Sequence, residues 1–326
     1  MKTRSPAFRA SLFGLVLALA VYFLGPVNEF GPDAPAERAQ PPAELMQLPT
    51  WLAEQEAQWP DIREGLAKRV TWMQTVGERT PWAVVYVHGF TASRLETYPL
   101  AMQVAQALGA NVFETRLAGH GRTTEAMGEP TVKDWLADMH EALTIGRQLG
   151  DRVLVMGVST GATLATWQAL RPEGQSDVAY VLISPNFGPK LKKADIVNMP
   201  WGRELALKIE GPMRTDQPRN EAEAHAWTTT YPTQALFPMM ALVKRIRESD
   251  LSAFSAPLLV LYSPMDQTVD PLEIEALFPR IGSTQKSLET VNDSEAQGQH
   301  VLAGEIGAPK TTAPMAQRIV GWVQGL

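Results

Sequence analysis

Gly157-Val158-Ser159-Thr160-Gly161 places one hydroxyl between two glycines, after the apolar run VLVMGV and before the small-residue stretch TGATLATWQAL. Gly-x-Ser-x-Gly between a strand and a helix suits a sharp, strained turn, because side chains two residues either side of the serine would collide as the helix doubles back. Such a turn, a nucleophile elbow, lifts the Ser159 hydroxyl above the strand end. Serine at its free pKa is a weak nucleophile, so it calls for a base and for a group that orients the base. The chemistry prepared is attack on a carbonyl carbon.

In strand–turn–helix sites of this kind the chain order is serine, acid, histidine. Of five histidines, His88, His120 and His140 precede Ser159, and His225 lies in a segment that interrupts the strand rhythm. His300, in QGQHVLAGE, follows the last strand-like acid and precedes the final helix, so it is expected to be the base. LYSPMDQTVDP offers two acids just beyond an apolar strand. Asp266, nearer the strand end, is the first choice, and Asp270 is the alternative. Asp270 before Pro271 also suits a helix N-cap. The oxyanion of a tetrahedral intermediate needs aimed N–H donors. The backbone of Thr160 supplies one, and Phe90, in the loop His88-Gly89-Phe90-Thr91, is the expected second. The Phe90 ring is then core or pocket wall, and His88 braces the loop.

Strands and helices must alternate to bring these residues together. WAVVYVHGF, ANVFETRLAGHG, DRVLVMGVST, DVAYVLISP and APLLVLYSP are short apolar runs ending in turns, with GLAKRVTWM as an earlier strand. RLETYPLAMQVAQALG, TVKDWLADMHEALTIGRQLG, residues 160–170 and TTAPMAQRIVGWV have helical spacing. Such alternation indicates a mostly parallel sheet with helices on both faces. Residues of about 187–250 break the pattern with Met199, Trp201, Met213, Trp227, Phe237, Met239 and Met240, and are expected to form an inserted helical cap. Methionine-rich surfaces adapt to irregular apolar ligands, although packing the cap onto the domain accounts equally for any one of these residues.

HGFTAS, LAGHGR, VMGVSTGATLA, and LYSPMDQTVDP with a downstream HVL together resemble the α/β-hydrolase superfamily over residues 62–326. HGFT and the Ser-Pro-x-Asp-x-x-Val acid loop are similar to bacterial carboxylesterases and monoacylglycerol-lipase-like serine hydrolases. The resemblance implies a triad of Ser159, Asp266 and His300, an oxyanion hole of Phe90 and Thr160, and ester hydrolysis through an acyl-enzyme. It implies no metal and no organic cofactor. Thioesterase, lactonase or amidase activity would use the same triad. A membrane-tethered binding module without turnover is the non-enzymatic alternative. Haloalkane and epoxide hydrolases of this fold carry Asp where this chain has Ser159. The chain departs from the common pattern in its N-terminal segment and in the polar stretch NDSEAQGQ before His300.

Bulk composition narrows the partners. The net charge of −6 argues against nucleic acid, which calls for a basic surface. The absence of cysteine excludes disulfides and thiolate chemistry. Lys2, Arg4 and Arg9 precede SLFGLVLALAVYFLG, so residues 1–25 are expected to be a membrane anchor or a signal segment, with a buried helix of the domain as the third possibility. The basic start favours export of the remainder, which places the catalytic domain on the extracytoplasmic side of an inner membrane. Five prolines in residues 26–47 indicate a semi-rigid, poorly packed linker, with the hydrolase domain over residues 48–326. KLKK at 190–193 and VKRIRE read as solvated faces, with anionic lipid as the alternative contact. A small acyl ester or lipid-like molecule is the expected substrate.

Overall fold

The computed structural model describes residues 19–326. The expected anchor or signal segment falls outside the described residues except for 19–25. Among the described residues no helix is long and apolar enough to cross a membrane.

Among the described residues nine strands form: β1 (Arg69–Thr71), β2 (Thr80–Val87), β3 (Asn111–Glu114), β4 (Gly150–Val158), β5 (Val178–Ile183), β6 (Met213–Thr215), β7 (Thr230–Pro232), β8 (Leu258–Tyr262) and β9 (Lys286–Thr290). Seven make one sheet in the order β1-β3-β2-β4-β5-β8-β9, in which β1 alone is antiparallel to its neighbour. Val84, Tyr86, Leu154, Met156 and Val158 bury against one layer, and Val85, Val87, Val153 and Val155 against the other. Both faces are covered, so these strands read as continuous apolar runs rather than alternating ones.

The α-helices are α1 (Leu48–Ala57), α2 (Leu100–Leu108), α3 (Val132–Leu149), α4 (Thr160–Ala169), α5 (Gly202–Glu210), α6 (Glu221–Ala226), α7 (Leu236–Glu248), α8 (Pro271–Leu277) and α9 (Pro309–Val323). α2 and α9 cover the Val84 face, while α3, α4 and α7 cover the Val85 face. Fully burying a Val or Leu at such a position contributes about 1.5–3 kcal/mol, so the two layers supply much of the stabilisation that fixes the strand ends.

The chain leaves β2 toward β3 on one side, and leaves β4 toward β5, β8 and β9 on the other. Neighbouring strands whose exits diverge open a crevice at their carboxyl ends, where ligands bind in open α/β sheets. The loop 88–91 follows β2 and Ser159 follows β4, so both border that crevice.

Several elements differ from the sequence expectation. β9 carries one apolar residue, Leu288, and is half-exposed at the sheet edge, so no apolar run announces it. The early strand shrinks to three residues. Helix α2 begins only at Leu100, after Pro99. Residues 28–38 are packed on the domain rather than free. The Asp33 carboxylate accepts from Trp167 Nε1 (2.7 Å) and pairs with Arg171 and Arg245, and Arg38 pairs with Asp138. Proline content signals stiffness, but it does not show which distant cations a carboxylate will meet.

Candidate active site

Ser159 joins β4 to α4 with φ 52° and ψ −115°, a strained conformation for a residue with a side chain. Neighbouring backbone holds it there. Its N–H donates to Ile183 O (3.0 Å), and its carbonyl accepts from Thr163 N (3.1 Å) and Asn186 N (3.2 Å). The glycines do different jobs. A Cβ on Gly157 would lie 2.8 Å from the Ala162 backbone, inside the turn itself. A Cβ on Gly161 would lie 2.1 Å from Val87 O and 2.6 Å from His88 O, so this glycine lets α4 start against the end of β2. Gly161→Ala is expected to cost about 3 kcal/mol of stability, as overpacking against backbone. Urea unfolding checks this as a lower midpoint at unchanged slope.

The loop after β2 is braced by His88. Its Nδ1 donates to Gly89 O (2.9 Å) while its Nε2 accepts from Leu117 N (3.1 Å), which fixes the tautomer. Burial, with His120 beside it, pushes His88 down to about 3, so it stays neutral. Holding Gly89 O orients the Gly89–Phe90 peptide and therefore the Phe90 N–H. The Phe90 ring packs edge-on against Tyr231 (5.4 Å) and Trp135 (6.2 Å), and Thr228 N donates to Thr91 O (2.7 Å). Thr160 is the first residue of α4, where N–H groups lack intrahelical partners and the helix dipole favours negative charge.

His300 and Asp266 meet through a 2.7 Å contact between Nδ1 and Oδ2. The other carboxylate oxygen accepts from Thr268 N (2.7 Å) and Val269 N (3.0 Å), so the buried Asp266 is fully partnered. With the Nδ1–H donated to the Asp266 carboxylate, Nε2 is left as the basic nitrogen. The polar stretch before His300 folds into a tether. Gln299 Nε2 donates to Ser294 O (2.7 Å), Ser263 Oγ donates to Gln299 Oε1 (3.1 Å), and Gln267 N donates to Gly298 O (2.9 Å). Ser184 Oγ donates to His300 O (2.7 Å). The end of β5 thus touches both the Ser159 backbone and the His300 backbone.

Asp270 lies elsewhere. It caps α8 through Leu272 N (3.1 Å) and pairs with Lys192 (2.8 Å), which holds its carboxyl below the usual carboxylate range. Of the apolar residues in the interrupting segment, Phe237, Met239 and Met240 pack into the core, while Met199, Trp201 and Met213 are exposed. One buried carboxyl beside the loop, Glu96, has no sequence signal at all, since SRLET reads as a helix start.

The profile of the family described as "Serine aminopeptidase, S33" matches residues 78–295. The thermostable monoacylglycerol lipase of Bacillus sp. (strain H-257) is 29% identical over 221 residues, 67% of this chain and 83% of that protein. Among solved structures, the metagenome-derived lipolytic enzymes LipS and LipT are represented by a chain with TM-score 0.65 and 23% identity, covering 81% of this chain and 100% of that one. A soluble variant of monoglyceride lipase from Saccharomyces cerevisiae gives TM-score 0.61 at 13% identity, covering 79% of this chain and 91% of that one.

Proposed function

Because the chain belongs to the serine aminopeptidase S33 family of α/β hydrolases and is a lipase/esterase-type enzyme, we propose that it hydrolyses carboxylic esters of lipid-like acids with Ser159, His300 and Asp266 as its triad. The observation that carries the reading is the 2.7 Å contact of His300 Nδ1 with a fully partnered, buried Asp266, held beside the strained Ser159 turn by the end of β5, where Ile183 O accepts from Ser159 N and Ser184 Oγ donates to His300 O.

In this mechanism His300 Nε2 takes the Ser159 proton as Oγ attacks the ester carbonyl carbon. The oxygen of the tetrahedral intermediate gathers negative charge facing the N–H groups of Thr160 and Phe90, each worth about 3 kcal/mol in the transition state. The intermediate collapses, the ester C–O bond breaks, and the alcohol leaves with the proton from His300. Water then gives a proton to His300 and attacks the acyl carbon. A second collapse returns the proton to Ser159 and releases the acid. Asp266 stabilises the imidazolium without taking the proton itself.

A lipid-like substrate fits the monoacylglycerol lipase relative and the surface of the segment 187–250, the cap of this reading. Leu191, Met199, Trp201, Leu205, Ile209 and Met213 are exposed there, and six Lys/Arg against three Asp/Glu make residues 187–215 net basic in an acidic chain. The N-terminal apolar segment enters the fold at this surface, where Trp201 N donates to Pro26 O (2.8 Å) and Trp201 Nε1 to Val21 O (3.0 Å). Anchoring by residues 1–25, with the catalytic domain on the extracytoplasmic side, would set the cap against the bilayer.

The test uses the full chain in detergent with p-nitrophenyl esters from acetate to laurate, a monoacylglycerol, a thioester and an aminoacyl anilide. Ester turnover lost in Ser159→Ala supports the reading, and turnover of the anilide alone moves the assignment to peptidase. A second expected outcome concerns location. Removing residues 1–25 shifts the protein from the membrane fraction to the soluble fraction, and full-length protein found wholly soluble contradicts the anchor.

A further inference from the structure

Glu96 is a carboxyl group that the acyl-transfer steps leave unused, yet it adjoins the loop 88–91, the Ser159 turn and the loop after His300. It is 2% exposed, between the loop 88–91 and α2. Its Oε2 accepts from Gly89 N (2.9 Å) and from the Tyr86 hydroxyl (3.1 Å), which in turn accepts from Thr97 Oγ1 (2.9 Å). A Cβ built on Gly89 would lie 2.7 Å from Glu96 Oε1 and 3.1 Å from Ser159 Cβ, so little more than a methyl group separates the carboxyl from the nucleophile's side chain. On the other side, a Cβ on Gly304, in the loop after His300, would lie 2.8 Å from Glu96 O. Among the described residues no lysine or arginine pairs with Glu96, and the nearby Arg94 faces Glu114 (3.5 Å). Packing alone gives no reason for a buried carboxyl here, because burying one without a cation is costly and an amide would fill the same space.

We propose that Glu96 is a positioning residue for acyl transfer at Ser159. As a carboxylate it fixes the Gly89 N–H, and through the Gly89–Phe90 peptide the Phe90 donor, and it stands as a second anion near His300 when the imidazole accepts the serine proton. Gly89 is then clamped at both ends, its N–H by Glu96 and its carbonyl by His88. The proposal rests on the serine-hydrolase reading of the site.

The groups facing Glu96 are the Tyr86 hydroxyl from β2, the Gly89 N–H and Ser159 at the turn, and His300 from the C-terminal loop. Burial raises its carboxyl to about 7, against the lowering pull of the Gly89 N–H, His300 and Tyr86. An acid whose pKa is raised by folding holds its proton in the native state where the unfolded chain has released it. Its ionisation therefore lowers stability as pH rises from the ordinary glutamate range to about 7.

Glu96→Gln keeps the volume and an acceptor for Gly89 but removes the charge. At about pH 8 it is expected to lower kcat about ten-fold with KM unchanged, and at about pH 5, where Glu96 is protonated in the wild type, by less than about two-fold. Its Tm should exceed the wild-type value at the higher pH and match it at the lower. Glu96→Asp, which keeps the charge, should recover part of the loss at the higher pH. A wild-type-to-Gln activity ratio that stays constant with pH, or wild-type activity of Glu96→Gln at the higher pH, overturns the proposal. Ser159→Ala run alongside separates the two levels. Ester turnover that depends on Ser159 with a flat Glu96 ratio removes only this proposal, whereas turnover that survives Ser159→Ala removes the reading beneath it.

Discussion

Ser159→Ala is expected to lower kcat on short p-nitrophenyl esters by about 10⁴-fold or more while leaving KM near its wild-type value. In the proposed mechanism the hydroxyl is the attacking atom, and alanine has nothing to put in its place. Thr160 follows in the chain, but it is the first residue of α4 and its backbone is committed to the helix. KM is expected to hold because the N–H groups of Phe90 and Thr160, the proposed oxyanion donors, remain. Folding also survives, since the hydrogen bonds that hold the turn run through the Ser159 backbone to Ile183, Thr163 and Asn186. Alanine meets the same positive-φ strain as serine, so unfolding midpoints should agree closely. Steady-state kinetics on both proteins, with urea melts alongside, checks this outcome.

Asp266→Asn is expected to cost about 10⁴-fold in kcat through the tautomer rather than through lost packing. The N–H groups of Thr268 and Val269 both point at one oxygen of residue 266. An asparagine must keep its carbonyl oxygen toward those two donors, which turns its NH2 toward His300 Nδ1. The imidazole then accepts at Nδ1 and carries its proton on Nε2, where no lone pair is left to take the serine proton. Nitrogen NMR of His300 should report the Nε2–H form in the variant and the Nδ1–H form in the wild type. Asp270→Asn should leave kcat almost unchanged, because that carboxylate caps α8 beside Lys192.

The sheet was legible wherever strands are buried on both faces. VVYV, VLVMGV and LLVLY announce themselves as apolar runs, and the small residues at 157 and 161 mark the turn between β4 and α4. β9 was not legible, because a half-exposed edge strand needs little apolar surface and KSLET supplies only the partly buried Leu288. The packing of Asp33 on Arg171 and Arg245 joins residues far apart in the chain, and local composition carries no trace of it. Chain order separates His300 from His88 and His120. It does not rank Asp266 over Asp270; nearness to the strand end does, and the path of the acid loop puts Asp266 on the imidazole. Glu96 stayed hidden for the same reason. Its neighbours Tyr86, Gly89 and Ser159 come from β2, the loop after it and the turn after β4, which meet only once the sheet has formed.

Covalent labelling of the full-length protein with a fluorophosphonate, followed by peptide mass analysis, tests the central claim most directly. A serine activated by His300 and aligned with the Phe90 and Thr160 N–H groups should carry a single phosphonate on the peptide containing Ser159, with Ser159→Ala unlabelled and Asp266→Asn labelled far more slowly. A phosphonate on another residue, or a folded wild-type protein that takes up none, would contradict the assignment of Ser159 as the nucleophile.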